Sequence, residues 1–291
     1  MDIFFSSPLL AGAYVFFISL CVGSFLNVVI YRLPVMMERQ WRQEAAELLA
    51  PESSDAPSPE HADEAPPAAP RFNLMMPGSH CPHCNHAITP FENIPVISWL
   101  ALRGRCSACN SPISPRYPLV ELATALLSLL VLQILGPEKA LYAIPMTWAL
   151  ISLTMIDFDT QLLPDSITLP LLWAGLLVNL GGTFVPLETA VLGAMAGYLV
   201  LWSVYWLFKL VTGKEGMGHG DFKLLAALGA WLGWTMVPLV LLLSSVVGAL
   251  IGLGYLAVRK ESAPFAFGPY IAIAGFVALL WGQPLLQWYL G

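Results

Sequence analysis

The run Ile156-Asp157-Phe158-Asp159-Thr160-Gln161-Leu162-Leu163-Pro164-Asp165 puts three carboxylates at the end of an apolar stretch. Gly218-His219-Gly220-Asp221-Phe222-Lys223 puts a fourth at the start of another. Ionisable groups at membrane depth are expensive, which makes them functional candidates by default. Two carboxylates brought together share one proton, because both cannot ionise cheaply. One of them could take a proton from an attacking water while the other, protonated, donates to a carbonyl oxygen and later to a leaving nitrogen, which is the chemistry of peptide-bond hydrolysis. Asp157 and Asp221 are the candidate pair. Gly218 and Gly220, which lack Cβ atoms, are expected to permit an unusual backbone and close approach of a substrate strand. Asp159 and Asp165 are expected as solvated interfacial or supporting groups, with Asp165 placed to cap a helix that begins near Ser166. Lys223 is expected to support the loop as an interfacial anchor rather than to act as a base. Glu121 is either a helix-start charge or part of a polar network.

A second constellation is Cys81-Pro82-His83-Cys84, 21 intervening residues, and Cys106-Ser107-Ala108-Cys109. This is close to two-knuckle zinc-ribbon spacing, and four thiolates on two short turns suit tetrahedral Zn²⁺. A closed four-cysteine sphere makes the metal structural, and a small loop domain with little core would gain its fold from it. Two disulfides or four reduced thiols are the alternatives. A cytoplasmic setting, where disulfides rarely persist, favours zinc. His80, His83 and His86 could substitute as ligands but are expected to face solvent. Cys21, inside an apolar stretch, is expected as a small buried hydrophobe.

The elements that hold these residues must be membrane helices. Of 291 residues, 57% are hydrophobic and 11% charged, with a mean hydropathy of +0.70. That is too apolar for a water-compatible surface, which excludes a soluble core-and-shell domain. Windows of about 20 apolar residues mark candidate spans. They fall at Pro8 to Tyr31 and near 118–135, 139–156, 166–184, 188–208, 222–234, 236–258 and 266–289. The expectation is an all-α polytopic membrane protein of about eight transmembrane helices, the sixth short, with a turn around Gly233 to Pro238. The first window has no basic residues before it and no small-residue cleavage site after it, so it reads as a retained anchor.

The organisation follows as a first helix over 1–34, a cytoplasmic loop over 35–117 and a membrane core over 118–291. With both termini outside the cytoplasm, twelve Lys and Arg fall on the inside and only Lys139 outside, a strong positive-inside bias. Two complete spans separate Asp157 from Asp221. An even number of crossings returns the chain to one face, so both carboxylates belong at the cytoplasmic boundary. Within the loop, 44–70 holds six prolines and seven acidic residues with almost no large apolar ones, and is expected to be a disordered spacer. Residues 71–117 form the expected zinc-ribbon-like insert.

The motifs IDFDTQLLPD and GMGHGDFKLLAALGAW resemble those of the type IV prepilin leader peptidases, in the GxGD class of intramembrane aspartyl proteases. The likeness extends over GSFLNVVIYRLP (23–34), ENIPVISWLALRGRC (92–106), RYPLVELATALLS (116–128), LPLLW (169–173), LVTGKEG (210–216) and FGPYIAIAG (267–275). The resemblance implies a bifunctional enzyme of the bacterial inner membrane. Such an enzyme cuts the basic leader from prepilins and pseudopilins at the cytoplasmic face and then methylates the new N-terminal amine with S-adenosylmethionine. It also implies that Asp157 and Asp221 are catalytic and that the cysteine domain and Gly104 are linked to methyl transfer. His219 stands where Tyr is more usual between the two glycines. Prepilins, pseudopilins and the lipid bilayer are the expected partners, and no nucleic acid is expected. The competing readings are an ion-coupled transporter relaying protons through the Asp pair, and a transferase holding Mg²⁺ on Asp157, Asp159 and Asp165 against a lipid diphosphate.

Overall fold

The computed structural model describes residues 7–49, 72–214, 216–259 and 266–290. The expected spacer is helical at 44–49, and its residues 50–70 lie outside the described residues, as do Arg71, Glu215 and Lys260. The described residues are helical apart from turns and two isolated antiparallel bridges. In chain order the helices are α1 (Pro8–Leu49), α2 (Ile97–Ala101), α3 (Arg116–Thr160), α4 (Asp165–Val178), α5 (Leu187–Thr212), α6 (His219–Leu232), α7 (Val237–Arg259) and α8 (Gly268–Leu290).

Every apolar window became helix, two of them within one helical run. Windows 118–135 and 139–156 share α3, broken at Gly136, whose φ of 74° and ψ of 169° precede Pro137. Five helices are long and apolar enough to cross a bilayer. The helices α4 and α6 have 14 residues each, about 21 Å at 1.5 Å per residue, against a hydrocarbon core of about 30 Å. Length and composition mark those five, and α3 carries two of the apolar windows, since its ends meet at the Arg116–Asp159 pair and the chain reverses at Gly136. The expected turn at 233–238 is present. Gly233, at φ 83°, ends α6, and a 3₁₀ turn over Trp234–Met236 leads into α7.

The first helix does not stop at residue 34. It continues through Pro34 for four more turns to Leu49. The residues after Pro34 are mostly strong helix formers, and Glu38–Arg42 and Gln40–Glu44 add i,i+4 pairs at 2.5 and 2.8 Å. Span and helix are thus different lengths, which corrects the assignment of 35–43 to a loop.

The second correction is Cys21, which is exposed on α1. The buried face of α1 runs through Ser19, Gly23, Leu26 and Ile30, a helical stripe that excludes position 21. That stripe packs on α3, and at Gly23 a Cβ would come within 2.7 Å of the Glu121 backbone. Small residues let membrane helices approach this closely.

At the centre lies α6. All its residues from Asp221 to Leu232 are buried except Lys223, enclosed by α4, α5 and α8. A helix apolar all round belongs in such a position. Gly193 and Gly197 of α5 and Gly229 of α6 let the two backbones meet, since a Cβ at either Gly193 or Gly229 would collide with the other's carbonyl. Asn179, fully buried after α4, donates to Ala230 O and Trp231 O at 2.9 and 3.1 Å and accepts from Phe184 N and Val185 N. It clamps the far end of α6 to the turn after α4.

Candidate active site and cysteine cluster

Asp157 lies one turn before the end of α3. The chain leaves that helix at Gln161, whose left-handed φ of 56° lets its N–H close on Asp157 O at 2.9 Å. Pro164, in extended conformation, then starts α4. Asp221 is in the first turn of α6. Both side chains are buried, with exposures of 4% and 7%, and they interact electrostatically. Asp157 Oδ2 faces Gly268 at the start of α8, where a Cβ would come within 2.5 Å of it.

A cavity of about 730 Å³ brings Asp157, Asp165, Gly218, Gly220, Asp221 and Lys223 together. The sequence missed one wall of it. Met37, Gln40 and Trp41, from the part of α1 beyond Pro34, also line the cavity. The i,i+4 spacing of Met37 and Trp41 would have put them on one helical face, had 35–43 been read as helix.

The supporting acids are tied up locally. Asp165 does not cap α4 through its side chain; both its oxygens accept from Lys223 Nζ at 2.7 Å, joining α4 to α6 at the cavity rim. Asp159 takes a bidentate pair of bonds from Arg116 at 2.8 and 2.5 Å, joining the two ends of α3. Glu121 is buried and accepts from Val96 N at 2.7 Å, so it belongs to a polar network rather than standing as a free helix-start charge.

The glycines act differently from expectation. Gly218 has ordinary extended backbone, with open space where a Cβ would project. Gly220 is helical and abuts Leu163, which a Cβ would meet at 2.7 Å. Close approach is therefore made by the chain's own 161–164 turn, while Gly218 leaves the cavity side clear. His219 packs against Tyr205 and Phe222 with ring centroids at 5.1 and 5.3 Å.

The four cysteines converge. Their Sγ atoms all lie within 4.8 Å of one another, with Cys81–Cys109 at 3.8 Å and Cys84–Cys106 at 4.0 Å. No disulfide joins them at such separations, and all four are free. A Zn–S bond of about 2.3 Å implies a tetrahedral edge of about 3.8 Å, so the donor set fits Zn²⁺. Each knuckle closes with an asparagine in the left-handed region, Asn85 at φ 57° and Asn110 at φ 58°. The repeated Cys-x-x-Cys-Asn was a legible signal for this, because Asn tolerates that conformation.

The N–H groups of His83 and Cys84 pull the Cys81 thiol down to about 5. Against the pull of the His86 amide, burial and the neighbouring Cys109, Cys81 and Cys106 push the Cys84 thiol up to about 12. Four crowded sulfurs cannot all ionise without a cation among them. Glu92 ties the knuckles together. It accepts from Ser107 Oγ, from Thr89 N and Oγ1 at 2.8 and 2.9 Å, and contacts His86 at 3.3 Å. Ser107 first, then Thr89, hold its carboxyl down to about 2. His80 and His83 are exposed, as expected.

Among the described residues the cysteines are the only cluster of three or more His, Cys, Asp or Glu with metal-holding spacing. Asp157, Asp159 and Asp165 do not converge on a cation site. Gly104, at φ 68°, packs on the Trp99 indole, which a Cβ would meet at 2.8 Å. That gives it a local packing reason to be glycine.

Residues 17–134 match the Bacterial Peptidase A24 N-terminal domain, and residues 144–253 match the Type IV leader peptidase family. The chain is 60% identical over 286 residues to a protein named prepilin leader peptidase/N-methyltransferase from Aeromonas hydrophila, covering 97% of this chain and 95% of that one. Proteins of the same name from Stutzerimonas stutzeri and Pseudomonas aeruginosa are 56% and 53% identical over 288 and 293 residues, covering 98% and 100% of this chain and 96% and 97% of theirs. No solved structure is a significant match.

Proposed function

The chain belongs to the type IV leader peptidase family, and on that premise we propose that it is a membrane-embedded aspartic endopeptidase that removes the basic leader from prepilins and pseudopilins. The observation that carries this reading is the burial of Asp157 and Asp221 together at one cavity. Buried carboxylates that repel one another share a proton. The ionised member takes a proton from water as the oxygen attacks the scissile carbonyl. The protonated member donates to the carbonyl oxygen, and the proton then reaches the leaving amine.

Gly218 keeps the substrate side of the cavity clear, Gly220 admits Leu163, and the Lys223–Asp165 pair pins α4 to α6 at the rim. Helical carbonyls are already bonded, so the substrate unwinds where it is cut. In this reading the protein sits in the bacterial inner membrane with both termini periplasmic. The cysteine unit and the Asp pair then lie on the cytoplasmic side, in accord with the placement of Lys and Arg.

Cys81, Cys84, Cys106 and Cys109 would hold Zn²⁺, which organises the 72–115 segment and supplies no chemistry to the Asp pair. A second activity, N-methylation of the exposed amine with S-adenosylmethionine, rests on the names of the relatives and on the cysteine domain. Gly104 serves it through the packing of its loop on Trp99.

The test is incubation of the purified chain with a membrane-embedded prepilin and labelled S-adenosylmethionine, read by mass and by label on the new N-terminus. Shortening by the leader, followed by labelling, is expected, and an unshortened substrate would contradict the reading. Cleavage should survive removal of Mg²⁺, whereas a diphosphate transferase would stop without it.

A further inference from the structure

A second cavity, of about 400 Å³, lies between α3 and α4, with Trp231 of α6 in its lining. No Asp, Glu, Lys, Arg or His lines it. One wall steps along α3 through Tyr142, Pro145 and Ala149, and the other along α4 through Ser166, Pro170 and Ala174. Spacings of three and four residues make each wall a continuous stripe on its helix. The stripe on α3 continues at the same spacing through Leu153 to Asp157. On α4 the lining runs from Ser166 to Val178, about 18 Å at 1.5 Å per residue.

The groove is held open by a fixed contact. The Trp231 indole donates to Leu171 O at 2.8 Å and sits where a Cβ on Gly175 would come within 2.5 Å. This locks α4 onto α6, while α4 makes only sparse contact with α3. Ser166 lines both cavities, so the apolar groove adjoins the space that holds Asp157 and Asp221.

We infer that this α3–α4 groove seats the apolar helix of the substrate, the segment that follows the scissile bond, and so sets the register at which the bond meets the carboxylates. The inference rests on the peptidase reading. A chain cut at the Asp pair that continues as a hydrophobic helix must leave the cavity through an uncharged path into hydrocarbon. The groove is such a path, meeting the site's cavity at Ser166. Its length matches about twelve residues of helix.

The test fills the groove with Ala149→Trp and Ala174→Trp in the full chain, reconstituted in nanodiscs. Two substrates are compared: a membrane-inserted protein carrying the leader and its whole apolar helix, and a soluble peptide that spans the cut and ends a few residues beyond it. KM for the membrane substrate is expected to rise about tenfold or more, while cleavage of the short peptide stays within about twofold. Unchanged kinetics on both, or equal loss on both, overturns the inference. As a second measurement, a photo-crosslinking residue at Ala174 should capture the substrate's apolar segment, and one at Leu207, exposed on α5, should not. Equal capture at the two positions, as diffuse lipid-like contact would give, also overturns it. A wild-type chain that cuts neither substrate refutes the peptidase reading itself, whereas normal cutting without a groove effect refutes only the groove.

Discussion

Gly268 governs how the Asp157 carboxylate can sit, because any side chain there would occupy the space of its Oδ2. Gly268→Ala should therefore leave the fold intact and lower cleavage on the order of 10²-fold, the cost of misplacing a reacting group by about 1 Å. Turnover measured beside a thermal melt checks this. Asp159→Asn is the contrasting variant. Its pairing with Arg116 is partly exposed, and such pairs contribute about 0–1 kcal/mol, so cleavage should stay near wild type. At this scale the meeting of Asp157 and Asp221 at one cavity was legible, because charge at the edge of an apolar run is visible in one dimension. The Lys223–Asp165 pair was not legible. Its partners are 58 residues apart and meet only because α4 docks on α6.

Helices in a membrane gain little from burying apolar surface against one another, so close backbone contact decides where they pack. The Gly193–Gly229 contact holds α5 to α6 and thereby orients Asp221. Gly229→Ala should destabilise the fold by about 1–3 kcal/mol through overpacking, read as a lowered melting temperature in detergent. Asn179→Leu removes the clamp on α6 and leaves buried backbone groups unpaired, at a cost of about 1–3 kcal/mol each. The same measurement applies. Apolar windows located these elements but not their limits. The helix α1 outran its span because helix propensity and i,i+4 pairs, not hydropathy, govern residues 35–49. At Gly136-Pro137 non-helical backbone parts the two windows within α3. Both features follow from backbone preferences that a window of mean hydropathy averages away.

Across the whole molecule, the cysteine unit is fastened to the membrane helices by two hydrogen bonds. Glu121 accepts from Val96 N, and Arg32 donates to Asn73 O. Val96 is held at φ 60°, a conformation that costs a β-branched residue energy and persists only where its surroundings fix it. Wild type should carry one zinc per chain, and the double variant Cys84→Ser/Cys109→Ser none, as read by metal analysis. Losing the metal should unfold the 72–115 segment while α3 to α8 keep their melting transition, since their core does not draw on the cysteines.

The central claim is that Asp157 and Asp221 act as one catalytic pair. Its most direct measurement is cleavage of a membrane-embedded prepilin by wild type, Asp157→Asn and Asp221→Asn, each checked for zinc content and folding. Loss of cutting in both variants, with fold and metal retained, is the predicted result. Near wild-type cutting by either one would contradict it.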